Sequence, residues 1–305
     1  MKIDKMVFLD SNYSYLMYRM SDYYSSSDMV ICSDGLSDIV RGKIPKKKYL
    51  PIKKLGLVGR LKLFFSLLFL LVKVQRFKGT ILGQDHLFFS FCFYRKKYIL
   101  VEDGLVNYLP PRSKNFFNKV KSYLINGELY GYNKYCTGLV LSGKENIPTS
   151  LVHKVTICKL DDVWEKKSEE EREEILSAFS VSKVDYKFQD SVVVLTQPFS
   201  EDGAISEKYK IDLYSRVIAH YFDDKTLIYI KPHPREVTDY LTLMERKVEL
   251  IERHVPFELI MLIRPKIKVL TFFSTSALSE ENATFLGTEF DEKLRNHYGP
   301  IKSNF

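Results

Sequence analysis

Short apolar runs alternate along this chain with longer stretches of helical or loop character, and this alternation limits the possible folds most. Five runs lie in the first half, at residues 6–9, 29–32, 79–82, 98–101 and 138–141. Four more lie in the second half, at residues 155–160, 191–195, 226–230 and 267–272. Such runs are typical of strands buried on both faces, as in parallel sheets covered by helices. The sequence therefore predicts an α/β protein.

Helical patterns fill the spaces between the later runs, at residues 168–179, 207–221 and 257–262. The first of them has a clear start, because the Ser168 hydroxyl can cap free amides and the three glutamates after it oppose the positive end of the helix. A chain of 305 residues is long for one domain. The polar segment at residues 142–148 also interrupts the alternation. We therefore predict two domains, residues 1–155 and 156–305.

The chain is basic, and most of the excess lies before residue 125. Lys and Arg exceed Asp and Glu by 46 − 38 = 8. An uneven distribution of this kind suits an anionic partner, which is nucleic acid, an acidic membrane surface or a phosphorylated glycolipid. Charge alone does not choose among them.

Cysteine spacing and the N-terminus indicate a reducing location. Cys32, Cys92, Cys136 and Cys158 are far apart and form no Cys-x-x-Cys pair, so neither a zinc site nor a redox dithiol is indicated. The first residues lack the pattern of a secretory signal, which needs a basic region and then an apolar core and a cleavage site. We expect a cytoplasmic protein.

One apolar run, residues 63–72, stands between basic residues at 60, 62, 73 and 76. A membrane-spanning helix needs about 20 apolar residues, and this run is half as long. Two interpretations remain open. Residues 60–76 form either a buried helix of the first domain or a peripheral contact with the inner face of the cytoplasmic membrane.

Ligands of open α/β sheets bind beyond the carboxyl ends of the strands, so the loops there are the candidate sites. Glu102 and Asp103, followed by Gly104, come directly after the run at 98–101. A carboxylate at this place can accept the proton of an attacking hydroxyl, which is the task of a general base. An ordinary surface turn explains the same residues.

The run at 226–230 leads into Lys231, Pro232, His233, Pro234 and Arg235. The two prolines restrict the backbone on either side of the histidine, and the two cations make the loop basic. A histidine held in this way can donate to a phosphate oxygen and, when protonated, offset the charge of a leaving nucleotide. A structural histidine is the alternative.

The run at 267–272 leads into Ser274, Thr275 and Ser276. Hydroxyls and free amides at the start of a helix can hold a phosphate, and simple capping by serine is the alternative. No GxxxxGK[ST] or GxGxxG motif and no metal-ligand spacing is present in the sequence. Together, a base candidate in the first domain and phosphate-binding candidates in the second predict a transferase.

The acidic-acidic-glycine motif at Glu102, the histidine-proline pair at His233 and the hydroxyl turn at Ser274 resemble the motifs of bacterial sialyltransferases. The chain is most similar to the lipooligosaccharide and capsule type, glycosyltransferase family 52, and more distantly to bacterial polysialyltransferases. The matching motifs lie between residues 102 and 278.

The resemblance implies a role for each matching residue. Glu102 would be the general base, with Asp103 as its neighbour and second candidate, and His233 would contact the phosphate of CMP and assist its departure. The nucleotide would also be held by Lys231, Pro234, Thr196, Gln197, Glu258, Ser274, Thr275 and Ser276. Acceptor contacts are expected in the less similar first part, where residues 10–13 are candidates and a helix cap is the alternative.

The resemblance also implies a fold and a reaction. The fold would be of the GT-B type, with two Rossmann-like domains facing a central cleft, an acceptor-side domain at 1–155 and a CMP-binding domain at 156–305. The reaction would be an inverting transfer of sialic acid from CMP-sialic acid to a terminal galactoside of a bacterial surface glycan, without a cofactor or a metal.

Two other functions stay open at this point. The first is another glycosyl or polyol-phosphate transferase that uses CMP-Kdo, a UDP-sugar or CDP-glycerol. The second is a non-catalytic basic protein that binds a membrane surface or nucleic acid, although no recognised nucleic-acid motif is present and nucleic acid is not the expected partner. The sequence does not choose an acceptor, a linkage or an oligomeric state.

Overall fold

The computed structural model describes residues 3–52, 55–109, 128–182, 191–263, 267–277 and 280–303. The chain divides into two compact units, one that ends at Ser180 and one that begins at Val181. Each unit is built on its own parallel sheet. The predicted α/β class with two Rossmann-like units is confirmed.

The sheet of the first unit has seven described strands in the order β3-β2-β1-β4-β5-β6-β7. All neighbouring pairs are parallel. The strands are β1 (Lys5–Phe8), β2 (Met29–Cys32), β3 (Lys47–Tyr49), β4 (Thr80–Gly83), β5 (Tyr98–Val101), β6 (Cys136–Leu141) and β7 (Val155–Ile157).

Helices connect the first four strands, as parallel pairing requires, and two further helices follow β7. The helices are α1 (Asn12–Met20), α2 (Asp38–Lys43), α3 (Leu57–Arg76), α4 (Leu160–Lys166) and α5 (Glu169–Ala178), with 3₁₀ turns at Ser90–Phe93, Leu105–Tyr108 and Val152–Lys154. α3 covers the core through Leu70 and Val74, which are buried against strand residues such as Phe8. In the ranges given above, no helix is both long and apolar enough to cross a membrane.

The sheet of the second unit has five described strands, all parallel, in the order β10-β9-β8-β11-β12. The strands are β8 (Ser191–Leu195), β9 (Leu227–Lys231), β10 (Glu249–Leu250), β11 (Lys268–Thr271) and β12 (Ala283–Phe285). The helices are α6 (Glu207–Tyr221), α7 (Tyr240–Leu243), α8 (Phe257–Ile263) and α9 (Glu292–Tyr298), with a 3₁₀ turn at Thr275–Ala277.

All nine apolar runs of the sequence form strands. Eight of them have a neighbouring strand on both sides, whereas the run at 155–160 forms β7, which lies at the edge of the first sheet and is partly exposed. Every residue of β8 is buried, including Val192, Val193 and Val194 in its middle. Three strands were missed, namely β3, β10 and β12. They are two or three residues long and lie at or next to a sheet edge, where a strand needs few apolar side chains.

The predicted helices at 168–179, 207–221 and 257–262 are present as α5, α6 and α8. Ser168 caps α5 as expected and forms a full capping box with Glu171, in which each side chain accepts from the backbone amide of the other residue. The four cysteines are buried thiols outside any disulfide.

The boundary between the two compact units lies after Ser180, beyond the predicted break at residue 155. The reason is that β7 pairs with β6 and so completes the first sheet. The two helices after β7 also pack on the first unit. The ring of Phe179 lies 5.8 Å from the ring of Tyr15 on α1, and Glu174 on α5 reaches Arg19 at 4.0 Å.

Candidate functional site

The acidic pair of the first unit follows β5 at the carboxyl end of the sheet. The backbone turns at Gly104, whose φ of +94° is accessible mainly to glycine. The backbone N–H of Asp103 donates to Oδ1 of Asn107 at 2.7 Å, which fixes the turn against the following 3₁₀ segment.

Glu102 is fully buried and accepts four hydrogen bonds. The hydroxyl of Tyr13 donates to its Oε1 at 2.7 Å, and the hydroxyl of Tyr108 donates to its Oε2 at 2.9 Å. Ser142 donates twice, from its hydroxyl to Oε1 at 3.0 Å and from its backbone N–H to Oε2. Since each carboxylate oxygen has two acceptor positions, all four are occupied.

Asp103 is more accessible and has fewer partners. Its side chain is 21% exposed. The hydroxyl of Ser11 donates to Oδ1 at 2.6 Å, and Nε2 of His86 lies 3.1 Å from Oδ2. Within the described part of the chain, one acceptor position on each oxygen has no partner.

His86 follows β4 and was not recognised from the sequence. Its ring packs beside the ring of Tyr130, with the centroids 5.2 Å apart. Its Nδ1 is buried and has no hydrogen-bond partner within the described part of the chain. The signal was present, because His86 lies in a polar Gln-Asp-His triplet directly after a predicted strand, at the same edge as Glu102.

Residues 10–13 follow β1 and include the helix cap that was one of the two interpretations made for them. Ser11 caps α1, since its hydroxyl oxygen accepts from the N–H of Ser14. The same residue contacts Asp103, and Tyr13 contacts Glu102. The helix cap predicted as an alternative is therefore correct, and it also attaches α1 to the acidic pair.

The second unit brings three candidate loops to one edge of its sheet. Lys231 on β9 is in register with Leu195 on β8, and Leu195 is in register with Thr271 on β11. The loops that carry Thr196, His233 and Ser274 thus begin at the same level on adjacent strands. Backbone and side-chain hydrogen bonds join them, from Thr196 N–H to the Lys231 carbonyl at 3.2 Å and from the Thr271 hydroxyl to the Leu195 carbonyl at 3.2 Å.

Glu236 connects these loops and was given no role from the sequence. It is 2% exposed and accepts from the hydroxyl of Thr196 at 2.5 Å, from the N–H of His233 at 2.6 Å and from the hydroxyl of Tyr240 at 2.6 Å. Lys210 adds a charged contact at 3.3 Å. One buried carboxylate therefore holds the His233 loop against the end of β8.

Lys210 lies on α6 and is fully buried. Its ammonium group is 2.9 Å from Glu201, 3.3 Å from Glu236 and 3.5 Å from Glu207. A buried ammonium is stable only when it is paired and hydrogen-bonded. Three carboxylates around one cation satisfy that condition and leave the cluster negatively charged.

His233 is half-buried beside two cations. Burial lowers the pKa of its imidazole to about 4, and the charges of Arg235 and Lys231 act in the same direction. Its Nδ1 accepts from the N–H of Arg235 at 3.2 Å. The ring is therefore neutral at pH 7 and carries its proton on Nε2, which is free of this loop contact and can donate to a ligand.

Lys231 ends β9 with its side chain buried. Burial lowers the pKa of its ammonium group to about 8, although the nearby carboxylates of Glu258 and Glu236 oppose this effect. Glu258 lies in the first turn of α8. The sequence-predicted residues Lys231 and Glu258 are thus close enough to interact through their charges.

The remaining predicted residues lie around the same edge. Gln197 is buried, and its N–H donates to the hydroxyl of Tyr214 at 2.8 Å. Pro234 is exposed. The N–H of Ser274 donates to the Thr271 hydroxyl at 3.1 Å, and Thr275 and Ser276 begin a 3₁₀ turn after it. Among the described residues no group of three or more His, Cys, Asp or Glu has the arrangement of a metal site.

The amino-acid sequence of this chain matches a known protein family. The family described as Glycosyltransferase family 52 matches residues 62–285. An uncharacterized protein of Haemophilus influenzae is 34% identical over 257 residues, which cover 82% of this chain and 81% of the other. The matched range includes the acidic pair, the His233 loop and the Ser274 turn.

Solved structures are similar in fold. An alpha/beta-galactoside alpha-2,3-sialyltransferase from Photobacterium phosphoreum has a TM-score of 0.55 at 13% identity, with 92% of this chain and 89% of that chain covered. A sialyltransferase from Photobacterium damsela also has a TM-score of 0.55 at 13% identity, with 99% and 80% covered.

Removal of the Glu236 carboxylate should destabilise the second unit strongly. In Glu236→Ala, Lys210 loses a buried partner and the N–H of His233 loses its acceptor, so we expect a loss of about 3 kcal/mol in the free energy of unfolding. Urea unfolding measures this. Arg235→Ala is the control in the same loop, because the Arg235 side chain is 61% exposed and its ion pair with Asp202 should contribute less than about 1 kcal/mol. Equal losses in the two variants would contradict the role of Glu236.

The low pKa of His233 predicts a pH-dependent stability. The folded protein binds this proton only near pH 4, whereas the unfolded chain binds it near the ordinary value of 6.5. The contribution of the neutral ring is therefore complete above pH 6.5 and is lost as the pH falls towards 4. Relative to His233→Gln, the wild-type protein should lose unfolding free energy between pH 7 and pH 5 in urea titrations. A difference that stays constant with pH would exclude a depressed pKa.

Proposed function

Because the chain belongs to glycosyltransferase family 52, we propose that it is an inverting sialyltransferase. The donor is CMP-sialic acid, and the acceptor is a terminal galactoside of a bacterial surface glycan, either lipooligosaccharide or capsule. Two observations support sialic acid as the transferred sugar. The acidic, histidine-proline and hydroxyl motifs resemble those of bacterial sialyltransferases, and the fold is similar to that of two enzymes with this activity.

The observation that carries the proposal is the common register of β9, β8 and β11. It brings cations, an imidazole and hydroxyls to one edge of one sheet, and these are the groups that bind a nucleotide phosphate. In the proposed complex the CMP phosphate lies at His233 and Ser274. Thr196, Gln197 and Glu258 line the nucleoside part.

His233 assists the departure of CMP. The bond between the anomeric carbon and the phosphate oxygen breaks, and its electron pair stays on that oxygen. Nε2–H of His233 is the donor for this oxygen, because Nδ1 already accepts from Arg235. The neutral imidazole donates this hydrogen bond, and the positive charges of Lys231 and Arg235 beside it offset the charge of the leaving group.

Asp103 is the better candidate for the general base, although the family resemblance suggests Glu102 first. Glu102 is fully buried with all four acceptor positions filled, so an acceptor hydroxyl would have to displace an internal donor. Asp103 is partly exposed and, as far as the described residues show, has an open acceptor position on each oxygen. In the proposed step, Asp103 takes the proton of the acceptor hydroxyl while that oxygen bonds to the anomeric carbon.

His86 positions the base. Its Nε2 at 3.1 Å and the hydroxyl of Ser11 at 2.6 Å hold one oxygen each of the Asp103 carboxylate. With both oxygens fixed, the remaining acceptor positions have a defined direction. Glu102 then has a structural task, because it joins α1 through Tyr13 to the ends of β5 and β6.

The proposed transfer needs no metal. Lys231, His233 and Arg235 provide donors and positive charge near the phosphate, and such groups can perform the electrostatic task of a divalent ion. An inverting single displacement follows from one base and one leaving-group donor, with no covalent enzyme intermediate.

Titration of the purified protein with CMP, UDP and CDP in the presence of a chelator tests the donor. We expect CMP to bind at least about tenfold more tightly than UDP, and His233→Ala to weaken CMP at least about tenfold, because a charge-assisted contact with the phosphate is lost. Isothermal titration calorimetry gives both values. Preference for UDP or CDP would indicate that the donor carries another sugar or a polyol phosphate in place of sialic acid. If the protein binds none of the three nucleotides, the transferase proposal is refuted.

The two acids should respond differently to removal of their charge. Asp103→Asn should lower the transfer rate by at least about 100-fold and leave CMP affinity unchanged, because only proton transfer is affected. Glu102→Gln should keep part of the activity but lower the free energy of unfolding by about 1–3 kcal/mol, since its amide group faces internal donors. Product formation from CMP-sialic acid and a galactoside, together with urea unfolding, measures both. A stable, inactive Glu102→Gln beside an active Asp103→Asn would return the base to Glu102.

A further inference from the structure

Helix α3 is apolar on two opposite sides. One side packs on the core of the first unit through Leu70 and Val74, with Leu63, Leu67 and Leu71 partly buried beside them. The other side carries large apolar residues that are exposed. They are Leu57, Val58, Leu61, Phe64, Phe65, Leu68, Phe69 and Val72.

The exposed apolar residues form one continuous face. At about 100° per residue, the eight positions fall within an arc of about 140°, roughly opposite the packed side. Leu57 is 84% exposed, Phe69 is 67% exposed, and Phe64 and Phe65 are each 58% exposed. Water-soluble surfaces rarely leave so many large side chains uncovered in one patch. We call these eight residues the α3 face.

The surroundings of the α3 face are strongly basic in sequence. Between Asp38 and Asp85 the chain has twelve Lys and Arg residues and no Asp or Glu. Arg60 and Lys62 lie near the start of α3, and Lys73 and Arg76 lie near its end. Positive charge therefore lies near both ends of the α3 face.

A recess of about 530 Å³ lies beside the end of this face. Phe69 and Val72 of the α3 face line it together with Met6 of β1, and Lys73 and Arg76 line it with their long side chains. An apolar recess next to two cations suits part of an acyl chain and the phosphate of one lipid.

We propose that the α3 face binds the surface of a bilayer that contains anionic phospholipid, with the helix parallel to the membrane plane. The opposite side of α3 is packed on its own sheet, so lipid can reach only the exposed side. Apolar side chains enter the boundary between headgroups and acyl chains, and the cations contact lipid phosphates. This inference does not depend on the proposed enzymatic activity.

A lipid surface fits the α3 face better than a second copy of the chain does. Two copies joined face to face would bring the same basic segments together, and like charges at an interface oppose association. Anionic lipid supplies the complementary charge. The self-association alternative remains measurable in the same experiment.

Binding to vesicles tests this proposal. The full-length protein is mixed with vesicles of phosphatidylcholine and phosphatidylglycerol in a ratio of about 2:1, or of phosphatidylcholine alone, and sedimented. We expect binding to the anionic vesicles that weakens with salt. The triple variant Phe64→Ser, Phe65→Ser, Phe69→Ser should bind at least about tenfold more weakly. The double variant Lys73→Gln, Arg76→Gln should bind several-fold more weakly.

A matched control separates the α3 face from general hydrophobicity. Leu241 and Leu243 on α7 are 57% and 48% exposed, and Leu241→Ser, Leu243→Ser should bind vesicles like the wild-type protein. Thermal unfolding followed by circular dichroism checks that each variant is folded. If the triple variant does not fold, vesicle binding by the double variant Lys73→Gln, Arg76→Gln still tests the proposal.

Three results would overturn the proposal. They are no preference for anionic vesicles, folded variants that bind as tightly as the wild-type protein, and self-association without vesicle binding. The last is recognised by analytical ultracentrifugation as a dimer that the triple variant converts to a monomer, and it would assign the α3 face to a second copy of the chain.

Discussion

In-register parallel pairing is the constraint on which the candidate sites depend. In the second unit, β8 is matched to β9 and β11 so that Leu195 stands level with Lys231 and Thr271. Three segments that are far apart in sequence therefore leave the sheet at one place. The same rule acts in the first unit, where β1, β4, β5 and β6 are neighbours and their following loops supply Ser11, His86 and the acidic pair. Parallel strands end on the same side, so functional side chains meet there without any local sequence motif.

Buried charge adds precision to this arrangement. The carboxylate of Glu236 and the ammonium of Lys210 are enclosed, and their contacts fix the His233 loop and the end of β8. The cost of removing such groups from water is offset only while every partner stays in place. A loop held by a buried ionic cluster has few alternative positions. The neutral state of His233 depends on the same closeness, because burial and two neighbouring cations depress its pKa.

The sequence predicted the central strands and the three motif loops, since apolar runs and strand-end residues are visible locally. It did not predict three edge strands, among them β3, whose Lys-Lys-Tyr sequence has no apolar pattern. It also did not show that Lys210 is buried, because a lysine in an amphipathic helix is ordinarily a surface residue. The sequence also did not predict the different surroundings of Glu102 and Asp103. The donors that enclose Glu102 come from residues 13, 108 and 142, which are distant in sequence or outside the motif. Tertiary contacts of this range leave no mark on short motifs.

The enclosure of Glu102 has a consequence for the order of the two acids. Its carboxylate reaches donors on α1, on the 3₁₀ segment after Gly104 and at the end of β6 all at once. An aspartate is one methylene shorter and does not span the same distance from the end of β5. The contacts at position 102 therefore require the longer side chain, while position 103 requires an accessible carboxylate oxygen. Glu102 and Asp103 have the same charge but cannot replace each other, because the motif requires a particular side-chain length at each position as well as a carboxylate.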